Sequence, residues 1–389
     1  MISLVAHSGG PTAVINASLL GVIEEARRHS AIGGLYGAWN GIEGILGGSF
    51  VDLFRQDPAT LDAISRAPAS ALGSSRLEVS PEQLERALDV MRANEVRCLF
   101  YTGGNGSMGT AWQIENMARD LHYEIQVIGI PKTIDNDLFE TDHTPGYAST
   151  ARFFACAVRD IGADNLSLPG QVEFVEVMGR NAGWLVAATS LARSEPDDAP
   201  HLIYFPEVRL PLEKLMSDID GVYRRLGRCV IAVCEGQLDE TGERFGADVR
   251  EVSRGSLALN LAHRLAVLVE NGLRLRTRSE KPGLLGRSSV AFPCPADWEE
   301  ARLCGQAAVR AALDGVSGEM ITLLRNPGES YSVSTGRTAF DKVAFREKLF
   351  PAEWRDSAGT GVMPAFHDWA APLIGPIAPY PRLKPMLFT

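Results

Sequence analysis

Between positions 131 and 137 the chain reads Pro131-Lys132-Thr133-Ile134-Asp135-Asn136-Asp137. A cation, a hydroxyl and two carboxylates in so short a span put a charge partner, a hydrogen-bond donor and a candidate general base at one place. An acidic surface turn is the plainer alternative. Three other segments have a related character. In His7-Ser8-Gly9-Gly10-Pro11-Thr12, paired glycines let backbone N–H groups approach an anion where a helix begins, although a tight turn would look the same. In Tyr101-Thr102-Gly103-Gly104-Asn105-Gly106-Ser107-Met108-Gly109 the glycines at 104, 106 and 109 have the spacing of a dinucleotide-binding loop. That fingerprint also needs an acidic residue closing the next strand. Here Glu124 opens its strand and Ile130 runs into Pro131-Lys132, so a phosphate cradle without a nicotinamide is the better reading. The fourth segment, Glu176-Val177-Met178-Gly179-Arg180-Asn181-Ala182-Gly183-Trp184, offers a guanidinium, the side chain best shaped to grip a phosphate; a solvated arginine is its ordinary counterpart.

Each of these segments follows a short apolar run. Strands are predicted at 3–7, 97–102, 124–130, 172–177, 201–205 and 229–235. Helices are predicted at 13–28, 81–94, 110–121, 148–161, 182–192, 212–226, 255–270 and 295–313. Strands alternating with longer helices make an α/β fold with mostly parallel sheets, and in such sheets ligands bind beyond the carboxyl ends of the strands. From Glu329 onward prolines at 351, 364, 372, 376, 379, 381 and 385 break up any long helix, which predicts a segment wrapping a second lobe or making a subunit contact. There is no internal repeat and no low-complexity tract.

The formal charge of −10 and a pI near 5.3 argue against nucleic acid or anionic membrane as a partner, so an anionic ligand must be held by locally placed cations. No apolar run approaches the ~18 residues of a membrane span, and the first residues lack the basic lead of a secretory signal. The six cysteines show neither CxxC nor zinc spacing and read as reduced, buried thiols of a cytoplasmic protein. The seven histidines show no metal-binding spacing.

Taken in order, the four segments, together with Cys234-Glu235-Gly236, resemble the phosphofructokinase family, with the likeness running to about residue 315. The resemblance implies two Rossmann-like three-layer α/β lobes with the active site between them. The expected division is 1–140 as a phosphoryl-donor lobe with a returning segment near 254–312, and 141–389 as a sugar-phosphate lobe carrying the Pro-rich wrap. It also implies the roles of individual residues. Asp135 is the base that takes the proton of the 1-hydroxyl of fructose 6-phosphate, Thr133 and Ile134 line the sugar phosphate, and Asp137 assists the metal and the transferring group. Met178, Gly179, Arg180 and Glu235 contact the sugar, and Arg287 grips its 6-phosphate, although Leu284 and Gly286 stand where the family commonly has Tyr and Gln. Arg76 bridges the donor phosphates, and Gly9, Gly104, Gly106, Ser107 and Lys132 line their site.

The donor is the open point. Lys132 is the residue typical of pyrophosphate users, whereas Gly106 is typical of ATP users, and Asn105 stands where most members place a magnesium-binding aspartate. The wording around Asn105 resembles a bacterial pyrophosphate-type subgroup, which favours a Mg²⁺-dependent, pyrophosphate-using 6-phosphofructokinase, homodimeric or homotetrameric. The ATP-dependent enzyme is the alternative, and a catalytically weak sugar-phosphate-binding relative is a third reading.

Overall fold

The computed structural model describes residues 1–245, 260–328 and 330–383. Its strands are β1 (Ile2–His7), β2 (Gly34–Ala38), β3 (Phe50–Asp52), β4 (Val96–Gly103), β5 (Gln126–Pro131), β6 (Gln171–Val177), β7 (Leu202–Tyr204), β8 (Cys229–Cys234), β9 (Arg276–Glu280), β10 (Glu319–Arg325) and β11 (Val333–Ala339). Its helices are α1 (Ile15–Arg27), α2 (Ile42–Gly47), α3 (Pro58–Ser65), α4 (Pro81–Ala93), α5 (Asn105–Asp120), α6 (Tyr147–Ser167), α7 (Trp184–Ala188), α8 (Leu212–Leu226), α9 (Leu261–Leu273), α10 (Leu284–Ser288), α11 (Pro295–Leu313) and α12 (Pro364–Ile374). They form two compact units, one made of Met1–Thr150 with Leu284–Leu349, the other of Ala151–Gly283 with the chain from Phe350 on.

The first unit is built on a seven-stranded sheet in the order β11-β10-β5-β4-β1-β2-β3, parallel except for its edge strands β3 and β11. Its central strands are buried on both faces, which is why they are continuous apolar runs without polar alternation. Side chains of β1 leave alternately: Val5 packs with α1, α3 and α11 on one face, Leu4 with α2, α4 and α5 on the other. The α1–α11 crossing is close enough to require glycine. A Cβ at Gly21 would lie 2.0 Å from the Arg302 carbonyl oxygen, and one at Gly305 would lie 2.1 Å from that of Ser18. This clasp, together with the pairing of β10 on β5, holds the returning chain in the first unit. The returning segment is therefore Leu284–Leu349, later in the chain than the 254–312 expected. Of the helix expected at 255–270, residues 255–259 lie outside the described residues and the rest begins α9 at Leu261.

The second unit carries the four-stranded parallel sheet β7-β8-β6-β9, with β6 and β8 buried throughout. At its edge, β9 exposes Arg276, Arg278 and Glu280 on alternate positions. Trp184 at the start of α7 packs edge-on against Phe350 and Trp354, at ring separations of 5.3 and 5.8 Å, and tilted against Trp369 at 5.3 Å. This aromatic cluster anchors the proline-rich segment within the second unit. The segment still holds a helix of 11 residues, α12, with Pro364 in its first turn and Pro372 inside it. No helix among the described residues is long and apolar enough to cross a membrane.

Candidate active site

In the first unit the candidate residues meet at the carboxyl ends of β1, β4 and β5. Backbone hydrogen bonds lace these ends together: Ser8 N–H donates to Thr102 O at 2.8 Å, Lys132 N–H to Gly103 O at 2.9 Å and Gly9 N–H to Ser75 O at 2.9 Å. Gly9 has φ +80°, the left-handed conformation that lets the chain turn back over the sheet. The Lys132 side chain rises beneath this turn, buried, and its Nζ donates to the carbonyls of Ser8 at 2.9 Å and Gly10 at 2.7 Å. An ammonium has three N–H bonds, so one remains for a ligand oxygen. Burial, then the nearby Arg287 and Arg76 guanidiniums, push the Lys132 pKa down to about 7 against the opposing pull of Asp135 and Asp137. Both arginines close over Gly10, where a Cβ would lie 2.8 Å from Arg287 Nη1 and 3.3 Å from Arg76 Nη2. The result is a cluster of three cations around a glycine turn.

The second wall is α5, which begins at Asn105 with Gly104 as its N-cap, five residues before the expected start at 110. Gly106 and Ser107 sit in helical first-turn positions rather than in the loop that their glycine-rich surroundings suggest. The backbone N–H groups of Asn105, Gly106 and Ser107 are thus first-turn donors with no intrahelical acceptor, an anion-binding arrangement. Ser107 Oγ donates to Ser8 Oγ at 2.8 Å, tying the helix to the Gly9 turn. A Cβ at Gly106 would meet no atom within 4 Å, so this face of the helix start is open. The Asn105 amide donates to the backbone carbonyl of Arg346.

The loop after β5 is folded back on itself. Thr133 pairs with Gly146 in an isolated parallel bridge, Thr133 N–H donates to Pro145 O at 3.2 Å, and Thr144 Oγ1 donates to Thr133 O at 2.9 Å. The Thr133 hydroxyl accepts from Asp135 N–H at 3.1 Å and bonds the Asp137 carboxyl. Ile134 packs inward. Asn136 is buried with φ 54°, and neither its Oδ1 nor its Nδ2 has a protein partner. Asp137 Oδ1 is likewise sealed without one, and burial raises its pKa. These orphaned oxygens are the kind of ligands a hard cation takes, although among the described residues no cluster of three acidic, His or Cys ligands forms a ready-made cage.

The segment Phe345–Lys348 supports this wall and carried no signal in the sequence. The Phe345 ring fills the space at Gly109, where a Cβ would lie 2.4 Å from its Cζ. Lys348 N–H donates to Asp137 O at 2.8 Å, and its Nζ donates to Thr141 O and Asp142 O at 2.9 and 3.1 Å. The mixed charges of Phe345-Arg346-Glu347-Lys348 resemble those of many surface segments, so only the folded chain reveals its role. The buried His7, another residue without a signal in the sequence, bonds Ser70 Oγ at 2.7 Å through Nδ1, and burial first, then Lys132, push its pKa down to about 3, keeping it neutral.

The second unit brings together the remaining candidates at the ends of β6 and β8. Gly179 and Arg180 both have positive φ, 135° and 50°, and Ala182 N–H donates to Gly179 O at 2.9 Å, closing a tight turn. Gly236 is required here, because a Cβ on it would lie 1.5 Å from Arg180 O. Glu235 N–H donates to Val177 O at 2.8 Å. Burial, then Glu176, raise the Glu235 pKa, and the backbone N–H groups of Gly179 and Arg180 hold it back. Met178 is half-buried and Arg180 exposed, so a sugar-shaped ligand at these strand ends would meet a carboxyl, a thioether and a guanidinium. Arg287, grouped with these residues by its expected role, lies instead in the first unit beside Arg76.

A family model described as "Phosphofructokinase" matches residues 3–312. The chain belongs to the phosphofructokinase family. Its sequence is 37% identical to "Pyrophosphate--fructose 6-phosphate 1-phosphotransferase" of Rhodospirillum rubrum, over 96% of this chain and 94% of that one. It is 36% identical to the protein of the same name from Xanthomonas campestris, over 97% and 92% of the two chains. The solved "Pyrophosphate-dependent phosphofructokinase" of Nitrosospira multiformis superimposes with a TM-score of 0.89 at 34% identity, covering 98% of this chain and 94% of that one. The candidate groups of this chain lie at two sets of strand ends, one in each unit.

Proposed function

We propose that this phosphofructokinase transfers a phosphoryl group from pyrophosphate to the 1-hydroxyl of fructose 6-phosphate, giving fructose 1,6-bisphosphate and phosphate. The observation that carries the reading is the buried Lys132 ammonium, pinned by the Ser8 and Gly10 carbonyls with Arg76 and Arg287 over the same turn. Such concentrated positive charge on a rigid turn suits a short polyanion and supplies the electrostatic stabilisation that a loose phosphoryl transition state needs. The names carried by the relatives from Rhodospirillum rubrum and Xanthomonas campestris support the same donor.

In this reading pyrophosphate lies against the α5 N-terminus, with Lys132 and Arg76 taking up the charge that develops on the departing phosphate. Asp135 accepts the proton of the attacking 1-hydroxyl, held in place by the bond from its own N–H to the Thr133 hydroxyl. Met178, Gly179, Arg180 and Glu235 contact the sugar, and Arg287 serves the donor phosphates beside Arg76. Asp137 and the Asn105 amide oxygen are the protein groups that would help hold a Mg²⁺ ion, which would supply charge neutralisation to the phosphates.

The ATP-dependent reading rests on a different observation, the open space beside Gly106, which would leave room for a larger donor. Initial rates on fructose 6-phosphate with Mg²⁺ decide between them. Turnover with pyrophosphate that releases one phosphate per sugar bisphosphate is expected, and turnover with ATP alone would overturn the proposal.

A further inference from the structure

The loop that carries Thr133, Asp135 and Asp137 ends on a buried ionic cluster that the reaction itself does not use. His143 is fully buried. Its Nδ1 lies 2.8 Å from Asp142 Oδ2 and its Nε2 lies 2.6 Å from Glu300 Oε2. A neutral imidazole has a single N–H and cannot donate on both sides. Only the imidazolium satisfies two carboxylates at once; loss of its proton would set a ring lone pair against a carboxylate oxygen at hydrogen-bond distance.

We infer that His143, held as an imidazolium between Asp142 and Glu300, is a positioning residue that fixes the Thr133–Gly146 loop, and with it Asp135 and Asp137, in its reactive shape. The inference rests on the proposed role of Asp135 as the base. The connection is short: Thr144, the next residue, donates to Thr133 O at 2.9 Å, and Thr133 bonds Asp135 N–H. Every neighbouring element contributes a charged or titratable group. From α11, Glu300 bonds the ring, and Asp297, one turn earlier, accepts from Gly146 N–H at 2.8 Å and Ser149 N–H at 2.9 Å. From β10, Arg325 Nη2 pairs with Asp142 Oδ2 at 3.1 Å. Ahead of β11, the Tyr331 hydroxyl donates to Glu300 and stands 3.4 Å from His143 Nε2. From the segment after β11, Lys348 Nζ bonds the carbonyls of Thr141 and Asp142. Burial opposes the charge on His143, but the bonds and charges of Asp142 and Glu300 outweigh it, so the group stays protonated above the ordinary histidine range. A proton held there ties the sheet, α11 and the catalytic loop into one piece.

The test is kcat and KM for both substrates from pH 6 to 10, for the wild type, His143→Gln and Glu300→Gln, each with a thermal melt. The wild-type kcat should fall at alkaline pH while KM for fructose 6-phosphate changes by less than about threefold, since a displaced base loses rate before it loses sugar binding. For His143→Gln, which can neither carry charge nor donate on both sides, kcat should be about 10²-fold lower at pH 7 and its alkaline fall should be absent. Glu300→Gln should keep more rate but fall off at lower pH, because the imidazolium has lost one of its carboxylates. A kcat for His143→Gln within twofold of wild type, with only the melt lowered, would reduce the cluster to a structural role and overturn the inference. If His143→Gln does not fold, an unmoved alkaline limb in Glu300→Gln would do the same. A wild type inactive with pyrophosphate would sink the functional reading instead; ¹⁵N shifts of the His143 ring at pH 7 then decide the inference, with a neutral ring overturning it.

Discussion

Replacing Lys132 separates the contribution of its charge from that of its bulk. Its pKa is lowered from 10.5 to about 7, first by burial and then by Arg287 and Arg76. The ammonium is the binding form, so the sign is fixed: it is present below pH 7 and lost as the pH rises through that value. At pH 8 about a tenth of the molecules hold the charge, and at pH 9 about a hundredth. The specificity constant reports groups of the free enzyme, so kcat/KM for pyrophosphate should fall about tenfold per pH unit above 7. Lys132→Arg cannot lose its charge in this range and should abolish the part of that fall that comes from a rising pyrophosphate KM, whatever it costs at the plateau. Lys132→Met keeps the length and apolar stem but removes the cation from a cluster built for phosphate. Its cost should match that of deleting one preorganised transition-state contact, about 2.7–4 kcal/mol, or 10²–10³ in rate. Steady-state rates at saturating fructose 6-phosphate with varied pyrophosphate give all of these numbers. A Lys132→Met enzyme within threefold of wild type, or a pyrophosphate KM that still rises with pH in Lys132→Arg, would refute the argument.

Two further outcomes follow from the geometry. Asp135→Asn should leave KM for both substrates within a few-fold while lowering kcat by 10²–10⁴, the range of a positioned base; an unchanged kcat in steady-state assays would remove Asp135 from that role. Trp184→Ala deletes a buried ring held by Phe350, Trp354 and Trp369, and should cost about 3–5 kcal/mol of stability measured by urea unfolding, with a loss under 1 kcal/mol showing that the cluster does not hold the segment from Phe350 onward.

The parts of the fold that were legible in the sequence are those where one force acts alone. β1, β4, β5, β6 and β8 are buried along most of their length, so burial wrote them as runs rich in apolar and β-branched residues, and each appeared within two residues of its true ends. β2 is Gly-Leu-Tyr-Gly-Ala and β9 alternates charged and half-buried residues at an exposed edge, so neither had that signature. The α5 start was hidden because Gly104 and Gly106 read locally as loop, whereas the helix is held by its packing on β4 and β5. The TIDND segment was legible because its chemistry is concentrated in adjacent residues. Its supports were not: Lys348 reaches it, and Phe345 and Arg346 reach the neighbouring α5, from more than 200 positions away, and Glu300 meets His143 across a separation of 157. Such contacts are products of topology, and no local pattern encodes them. The return of Leu284–Leu349 to the first unit follows from the Gly21–Gly305 clasp, a fit visible only when both helices are in place.

The central claim concerns the donor, and one experiment addresses it most directly. The protein is given fructose 6-phosphate, Mg²⁺ and equal concentrations of pyrophosphate and ATP in one tube, and the phosphorus species are followed by ³¹P NMR. The account predicts that pyrophosphate disappears as fructose 1,6-bisphosphate and inorganic phosphate grow in equal amounts, while the ATP signals stay constant. Loss of the ATP γ-phosphate with accumulation of ADP and untouched pyrophosphate would contradict it.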